Sequence, residues 1–474
     1  MRENFIIVKK AGFVSLSKVV NLLGLLVVTI ILARYFTRSE FASYDQFWLI
    51  FNTIFPVASF AFTSSIYFFG SKENAGDYIT EIFWFLLFVG LMVTFFLFLL
   101  SSEIAKFIKN PRFAQDFPAF AIFSLFSFPS IVLDAILILK NEFKTLFKVT
   151  TLTIVGYAFA VVLTILYKMS VDFIFICLSV IALFRFVYTW SLIRKFWNVN
   201  LKGGNNLFPH IKEILLFTSP LIVGHIGALV SKQVDKYIVA NNFPSEVYAI
   251  YTIGARELPI VSLITSSFAS VVFPEISRLY ANGRGLDVAH LIRDVVRTTS
   301  MFIIPTFSFL LFFAEEFVVI LFSEKYVEST PIFRIYLLFL PVRVLVYSSV
   351  LSALGKQKIY MLISLFDLAF NLSLGVILVK VVGLIGPAIA VVSSTFVEAL
   401  LMLLYISKVL GGIGLSNILP FRFMSALWIS SLILSVLCYL VSSLIHGLIL
   451  KFILPAVLFS VIYLFLVVRF LRKI

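Results

Sequence analysis

The sequence predicts an all-α polytopic membrane protein with about fourteen transmembrane helices, built as two six-helix lobes related by an internal repeat plus two C-terminal helices. Three observations predict it: the composition, the lengths of the apolar runs, and features that recur in the same order in both halves. Of the 474 residues 61% are hydrophobic and 13% charged, with mean hydropathy +1.07, whereas soluble domains carry about a quarter charged residues. Such a chain exposes more apolar surface than water solvates, and in hydrocarbon it satisfies its backbone as helix.

Apolar runs separated by polar, Gly or Pro breaks place spans near 12–33, 43–69, 79–100, 117–139, 149–167, 172–193, 214–240, 247–276, 298–321, 331–354, 360–380, 384–406, 423–445 and 449–468. These lengths lie near the roughly 20 residues that cross a hydrocarbon core. An even number of spans leaves both termini on one side. With the N-terminus inside, the inside segments hold 22 Lys and Arg, the outside segments nine and the spans seven. That bias predicts both termini on the cytoplasmic side of a bacterial inner membrane. The basic segment Met1 to Lys10 is followed by no small-residue cleavage site, so it reads as the start of a retained span.

The formal net charge of +14 does not point to nucleic acid, because the basic residues sit in short gaps between apolar runs. Cys177 and Cys438 both lie inside such runs, which indicates packing rather than a disulfide or a metal cluster. The 55 Phe suit lipid-facing and interhelical packing, with Tyr35, Trp48, Tyr188, Trp190 and Trp197 at span ends as interfacial belts.

The repeat is visible where the first and seventh spans end. Ile31-Leu32-Ala33 matches Ile238-Val239-Ala240, Phe36 matches Phe243, Ser39-Glu40-Phe41 matches Ser245-Glu246-Val247, and Ala42 and Tyr44 match Ala249 and Tyr251. The fourth and tenth spans each carry an internal proline, Pro129 and Pro341, and run into a basic turn. Duplication of this kind commonly places a binding site between halves. The predicted organisation is an N-lobe over 1–195, a linker over 196–213, a C-lobe over 214–408 and two further spans over 409–474.

Ile31-Leu32-Ala33-Arg34-Tyr35-Phe36 with Ser39-Glu40-Phe41, Ser219-Pro220-Leu221 leading to Val234-Asp235-Lys236, and Ala353-Leu354-Gly355-Lys356 together resemble the polysaccharide-unit flippases of the multidrug, oligosaccharidyl-lipid and polysaccharide exporter superfamily, over nearly the whole chain. The resemblance implies transfer of an undecaprenyl-pyrophosphate-linked oligosaccharide from the inner to the outer leaflet. It also implies contacts with membrane lipids and with polymerase and other membrane proteins of the pathway.

Ionisable groups inside spans are costly and commonly line a wet cavity. The seven basic ones are Lys18, Arg185, Lys232, Lys236, Arg256, Arg334 and Arg343. His225, Leu229, Lys232 and Lys236 share one helical stripe, and His225 is the repeat counterpart of Lys18. Arg256 and Arg343 lie deepest, about 15 to 18 Å from a membrane surface at a helical rise of 1.5 Å per residue. Guanidinium offers the forked donors that a diphosphate needs. Lys18, His225, Lys232, Lys236, Arg256 and Arg343 are therefore the expected substrate-binding cations. The competing readings are an ion pair of Arg256 with Glu257 or Asp235, snorkelling for Lys18, Arg185 and Arg334, and packing or proton coupling for His225.

Asp367 and Asn371, four residues apart, share a helix face. Lipid II flippases of the superfamily carry an Asn and an Asp at this spacing, an Asp matching Asp235, and a Thr that aligns with Ser394. The resemblance thus implies a sodium site at Asp235, Asp367, Asn371 and Ser394, with the Asn and Asp exchanged and Ser replacing Thr. Interhelical hydrogen bonding is the alternative. Sodium or proton coupling is expected, and no other cofactor is.

The sequence contains no phosphate-cradling Gly-rich loop, zinc helix motif or nucleophile elbow. The longest polar connection, Arg194 to Lys212, is short for an enzymatic domain. A membrane glycan transferase or ligase is therefore disfavoured. A multidrug or cation antiporter is disfavoured by the excess of deep Arg and Lys. The charge bias predicts that a reporter fused after Ile474 is cytoplasmic and one inserted near Glu324 external. Topology mapping that puts the two on the same side overturns the fourteen-span arrangement.

Overall fold

The computed structural model describes residues 2–197 and 209–471. Most of the predicted linker lies outside them, as do Arg472 and Lys473. Among the described residues the chain is helical throughout, without strands. The helices are α1 Arg2–Tyr35, α2 Arg38–Phe69, α3 Ala75–Phe107, α4 Arg112–Leu139, α5 Phe143–Leu166, α6 Val171–Trp197, α7 Ile211–Asn242, α8 Ser245–Gly254, α9 Pro259–Ala281, α10 Gly285–Phe312 and α11 Ala314–Phe322. A 3-10 turn over Glu324–Ser329 leads to α12 Thr330–Leu337, α13 Phe339–Val342 and α14 Tyr347–Ala353. The chain closes with α15 Gln357–Val382, α16 Gly386–Val409, α17 Leu415–Ile418, α18 Phe421–Ser442 and α19 Leu448–Leu471.

Among the described residues twelve helical stretches are long and apolar enough to cross a membrane, or thirteen if the bent pair Ile211–Val223 and His225–Asn242 is one span. One of the twelve, Gln357–Val409, comprises α15 and α16, which pack as a hairpin about Gly383–Ile385. The protein is a multi-pass membrane protein. Its many exposed large apolar side chains, such as Phe95, Phe96, Leu99, Val271 and Leu464, form the kind of surface that lipid rather than water covers.

The chain packs as two compact units, one comprising 1–233 with 240–249 and the other 234–239 with 250–474, so α7 is shared between them. In the first unit, α2 starts on a capping box: the Glu40 amide donates to Thr37 Oγ1 and the Thr37 amide to Glu40 Oε2. The turn before α4 is tied to α2 by buried amides. Asn110 Nδ2 donates to Gln46 Oε1 and Ser43 Oγ, and Gln46 Nε2 donates to the Ile108 carbonyl. Aromatic packing fills the space between, with Phe47 stacked on Phe113 at 4.4 Å and Phe55 edge-on to Phe128 at 5.5 Å between ring centroids. The Phe residues thus pack helix against helix, as their number predicts.

The approach to α7 is fixed by carboxylates. Buried Glu81 accepts the His210 amide at 2.8 Å and pairs with His210 Nδ1 at 2.6 Å. One turn on, Glu213 accepts from Lys72 Nζ at 2.6 Å and from the Tyr78 hydroxyl at 2.5 Å. The Glu213 contact raises the Lys72 pKa from its ordinary value. Negative groups at this end complement the helix dipole.

In the second unit α10 packs on α18, and α18 pairs with α19. The Tyr463 hydroxyl donates to the Met301 carbonyl at 2.7 Å, which fixes α19 on α10. Cys177 and Cys438 are both free thiols. Replacing Glu81 by Ala leaves the His210 amide without its buried acceptor, a loss of about 1–3 kcal/mol. Glu81→Ala should therefore lower the melting temperature of the purified protein more than Glu213→Ala, whose carboxylate is half exposed. Equal melting temperatures would remove the structural role assigned to Glu81.

Candidate functional site

The second unit contains two interrupted spans. α8 ends at Gly254 and α9 begins at Pro259, leaving Ala255-Arg256-Glu257-Leu258 unwound. Pro259 causes the break: it has no amide hydrogen and forces Leu258 into extended backbone, φ −76° and ψ 114°. The stretch Glu324–Ala353 is likewise broken between α13 and α14, with Val346 non-helical at φ −92° and ψ 83°. Pro341 lies in the turn just before that break.

Three contacts join these spans in parallel register. Ser329 Oγ donates to the Ile250 carbonyl at 2.6 Å. Gly254 lies so close that a Cβ there would sit 2.6 Å from the Ser329 carbonyl oxygen and 2.7 Å from Ile332 Cβ. Arg343 then forks onto Glu257, Nη1 to Oε2 at 2.8 Å and Nη2 to Oε1 at 2.5 Å. The two breaks are thus held together by a bidentate, charge-assisted pair, the geometry that guanidinium suits and ammonium does not. Arg256, Glu257, Arg343, Tyr336 and Phe339 line one small cleft there.

Tyr336 connects this cleft to a second polar centre. Its hydroxyl and that of Tyr251, the latter at 2.8 Å, both donate to Oδ2 of Asp235. Asp235 has no exposed surface, and its Oδ1 accepts no hydrogen bond among the described residues. A buried carboxylate with two donors on one oxygen and none on the other has room for a further positive partner.

Asp367, Asn371 and Ser394 are buried too, with Asp367 and Asn371 on the inward face of α15. Gly375 marks where the helices meet: a Cβ on it would be 2.5 Å from Ile238 Cδ1 and 3.7 Å from Ala390 Cβ. Asp235, Asn371 and Ser394 each lie about one turn from one of those three residues, and a turn rises about 5.4 Å. The oxygens are hard, as an alkali or alkaline-earth cation requires. Among the described residues no three His, Cys, Asp or Glu side chains cluster as metal ligands; the predicted set has two carboxylates, one amide and one hydroxyl.

The predicted cations divide between the units. Arg256 and Arg343 share the cleft of the second unit, and Lys236 follows Asp235 there. Lys18 and Lys232 are exposed in the first unit, where His225 packs on Phe60 with ring centroids 4.0 Å apart. Arg185 is held by Asp134 at 3.2 Å and by Thr153. Arg334 Nε donates to the Leu311 carbonyl. Glu257, one of the partners foreseen for Arg256, receives the Arg343 fork. The sequence reading also missed Tyr251 and Tyr336 as the donors to Asp235, although the match of Tyr251 with Tyr44 marked that position.

Comparison with known proteins places these features in a family. Residues 31–331 match the model of a polysaccharide biosynthesis protein family. A capsular polysaccharide biosynthesis protein, CapF, of Staphylococcus aureus is 25% identical over 253 residues, 53% of this chain and 63% of that protein. The aligned stretch spans less than two thirds of each of the curated relatives it matches. Among solved structures, the lipid II flippase MurJ in an inward closed conformation superposes with TM-score 0.76 at 17% identity, covering 98% of this chain and 99% of that one. An inward-facing multidrug transporter of the MATE family and MOP superfamily gives TM-score 0.63 at 16% identity, covering 83% and 95%. These likenesses identify the fold as that of the multidrug, oligosaccharidyl-lipid and polysaccharide exporters, and the chain belongs to the polysaccharide biosynthesis protein family.

Proposed function

We propose that the protein is a flippase that moves an undecaprenyl-pyrophosphate-linked oligosaccharide from the cytoplasmic to the outer leaflet by alternating access, coupled to sodium. The observation that carries this reading is the pair of interrupted spans joined at their breaks by Arg343 and Glu257. Unwound backbone at membrane depth is tolerated where it is buried in protein or lines a cavity, and transporters build their binding sites from such helices. Membership of a polysaccharide biosynthesis family and the MurJ-like fold support a lipid-linked glycan as the cargo.

In this mechanism Arg256 and Arg343 receive the diphosphate. Glu257 holds the Arg343 fork when substrate is absent, and a diphosphate offers that fork a second anion with the same planar reach. Exchange of Glu257 for phosphate loosens the two breaks from each other. Substrate binding and helix movement then draw on one interaction, as population shift requires. Lys236, beside Asp235 in the same unit, is the further cation that this reading assigns to the substrate.

Asp235, Asp367, Asn371 and Ser394 would hold the coupling ion, and sodium would supply there one positive charge against two buried carboxylates. Because the Tyr336 hydroxyl bonds Asp235 and its ring lines the Arg343 cleft, the charge state of Asp235 reaches the substrate site through one side chain. A cation antiporter is the weaker reading, since its substrates would have to meet two arginines in that cleft.

Two outcomes follow. Arg256→Ala or Arg343→Ala should abolish export and leave complete lipid-linked oligosaccharide in the cytoplasmic leaflet, read in proteoliposomes with labelled substrate. Each lost charge-assisted contact, about 1.5–3 kcal/mol, weakens binding about tenfold or more. Lysine at either position should rescue only partly, and normal export by both alanine variants sinks the proposal. Sodium should raise the melting temperature of the wild type, because it binds the folded state, and Asp235→Asn and Asp367→Asn should lose that response. An unchanged sodium response in both variants returns these residues to a structural role.

A further inference from the structure

Far from the cleft just described, the second unit has a cationic groove that the transport reading does not use. It is an open cavity of about 570 Å³ where the third and fourth turns of α10 meet α17 and the start of α18. Arg293, Arg297 and Arg422 line it, with Asp294 the one acidic residue in its wall. Arg293 and Arg297 are four apart on α10 and so point the same way. None of the three arginines makes an ion pair with a described carboxylate. Arg297 stacks its guanidinium 4.9 Å from the centre of the Phe423 ring, and its buried Nε has no hydrogen-bond partner. That stacking fixes the plane of the fork and leaves its terminal nitrogens to face the groove.

The surroundings specify the ligand. The groove opens at the foot of α18, a helix whose positive N-terminal end adds to the arginines. Seven residues above Arg422 on the same helix face begins an exposed apolar stripe of Ile429, Ile433 and Leu440, 61%, 57% and 59% exposed. An anion lodged among the arginines therefore has hydrocarbon-covered helix directly above it. A free anion uses only the groove, whereas a lipid phosphate uses the groove and the stripe together.

We propose that Arg293, Arg297 and Arg422 form a binding site for the phosphate of an anionic membrane lipid, whose acyl chain runs along the Ile429–Leu440 stripe of α18. The inference does not depend on the transport reading: the site serves any anionic phospholipid, and the lipid pins α18 to α10 at its foot.

The test uses the purified full chain in a neutral detergent, titrated with phosphatidylglycerol, phosphatidylcholine or inorganic phosphate, with binding read by native mass spectrometry and melting temperature. Phosphatidylglycerol should bind and stabilise, and phosphatidylcholine should bind more weakly, because its choline cation faces three arginines. The double variant Arg297→Gln with Arg422→Gln should lose about tenfold or more in phosphatidylglycerol affinity. The lysine double variant should retain most of it. Asp294→Asn, which removes the opposing carboxylate, should strengthen binding. If the glutamine variant does not fold, arginine modification of the wild type by phenylglyoxal decides: phosphatidylglycerol should protect Arg297 and Arg422, and phosphatidylcholine should not. Equal binding of the two lipids, equal effects of inorganic phosphate and phosphatidylglycerol, or unprotected arginines would overturn the lipid assignment.

Discussion

Hydrocarbon offers no hydrogen bonds, so each peptide group that enters it must find its partner inside the protein. Most of this chain meets that demand by staying helical through each crossing, with hydroxyls turned back onto their own carbonyls, as Thr29, Ser65 and Thr164 do. Two places in the second unit depart from it among the described residues: Ala255–Leu258 and the residues between α13 and α14. There the released groups have to be recovered by neighbours. Ser329, Gly254 and the Arg343–Glu257 fork lie in register along the two interrupted helices. The polar chemistry of the second unit follows from the cost of those two breaks.

The halves aligned by the sequence repeat treat this demand differently. The repeat pairs Tyr44 with Tyr251, and by the same offset Val28 stands where the second half has Asp235 and Ile50 where it has Glu257. α2, the counterpart of the α8–α9 span, runs unbroken from Arg38 to Phe69. α4 carries Pro129 within a continuous helix, whereas the span with Pro341 is divided. Tyr44 bonds Tyr157, a neutral partner, while Tyr251 bonds a buried carboxylate. Along the aligned segments the first half is continuous helix, whereas the second carries Glu257 and Arg343 at its interruptions.

Helical membrane architecture was legible from composition, since 13% charged residues leave few other solutions. The inward face of α15, with Asp367 and Asn371 buried together, was legible because a spacing of four fixes one helical face. What escaped was pairing between segments. Glu257 takes the guanidinium fork of a residue 86 positions away, a separation that no local spacing in the sequence reveals. The proline breaks were visible as prolines, but whether Pro259 or Pro129 interrupts its helix depends on tertiary support that a single sequence does not reveal. The tyrosines around Asp235 escaped for the same reason: a hydroxyl carries no periodic signal.

The fork between the two breaks is not sealed from its surroundings. The Arg343 side chain is 28% exposed and that of Glu257 47%, so mobile ions reach it, and at physiological ionic strength charges are screened over about 8 Å. A pair of this exposure has no fixed strength. It tightens in dilute electrolyte and slackens in concentrated electrolyte, so the ionic composition of the compartment wetting the cleft tunes how firmly the two helices are fastened.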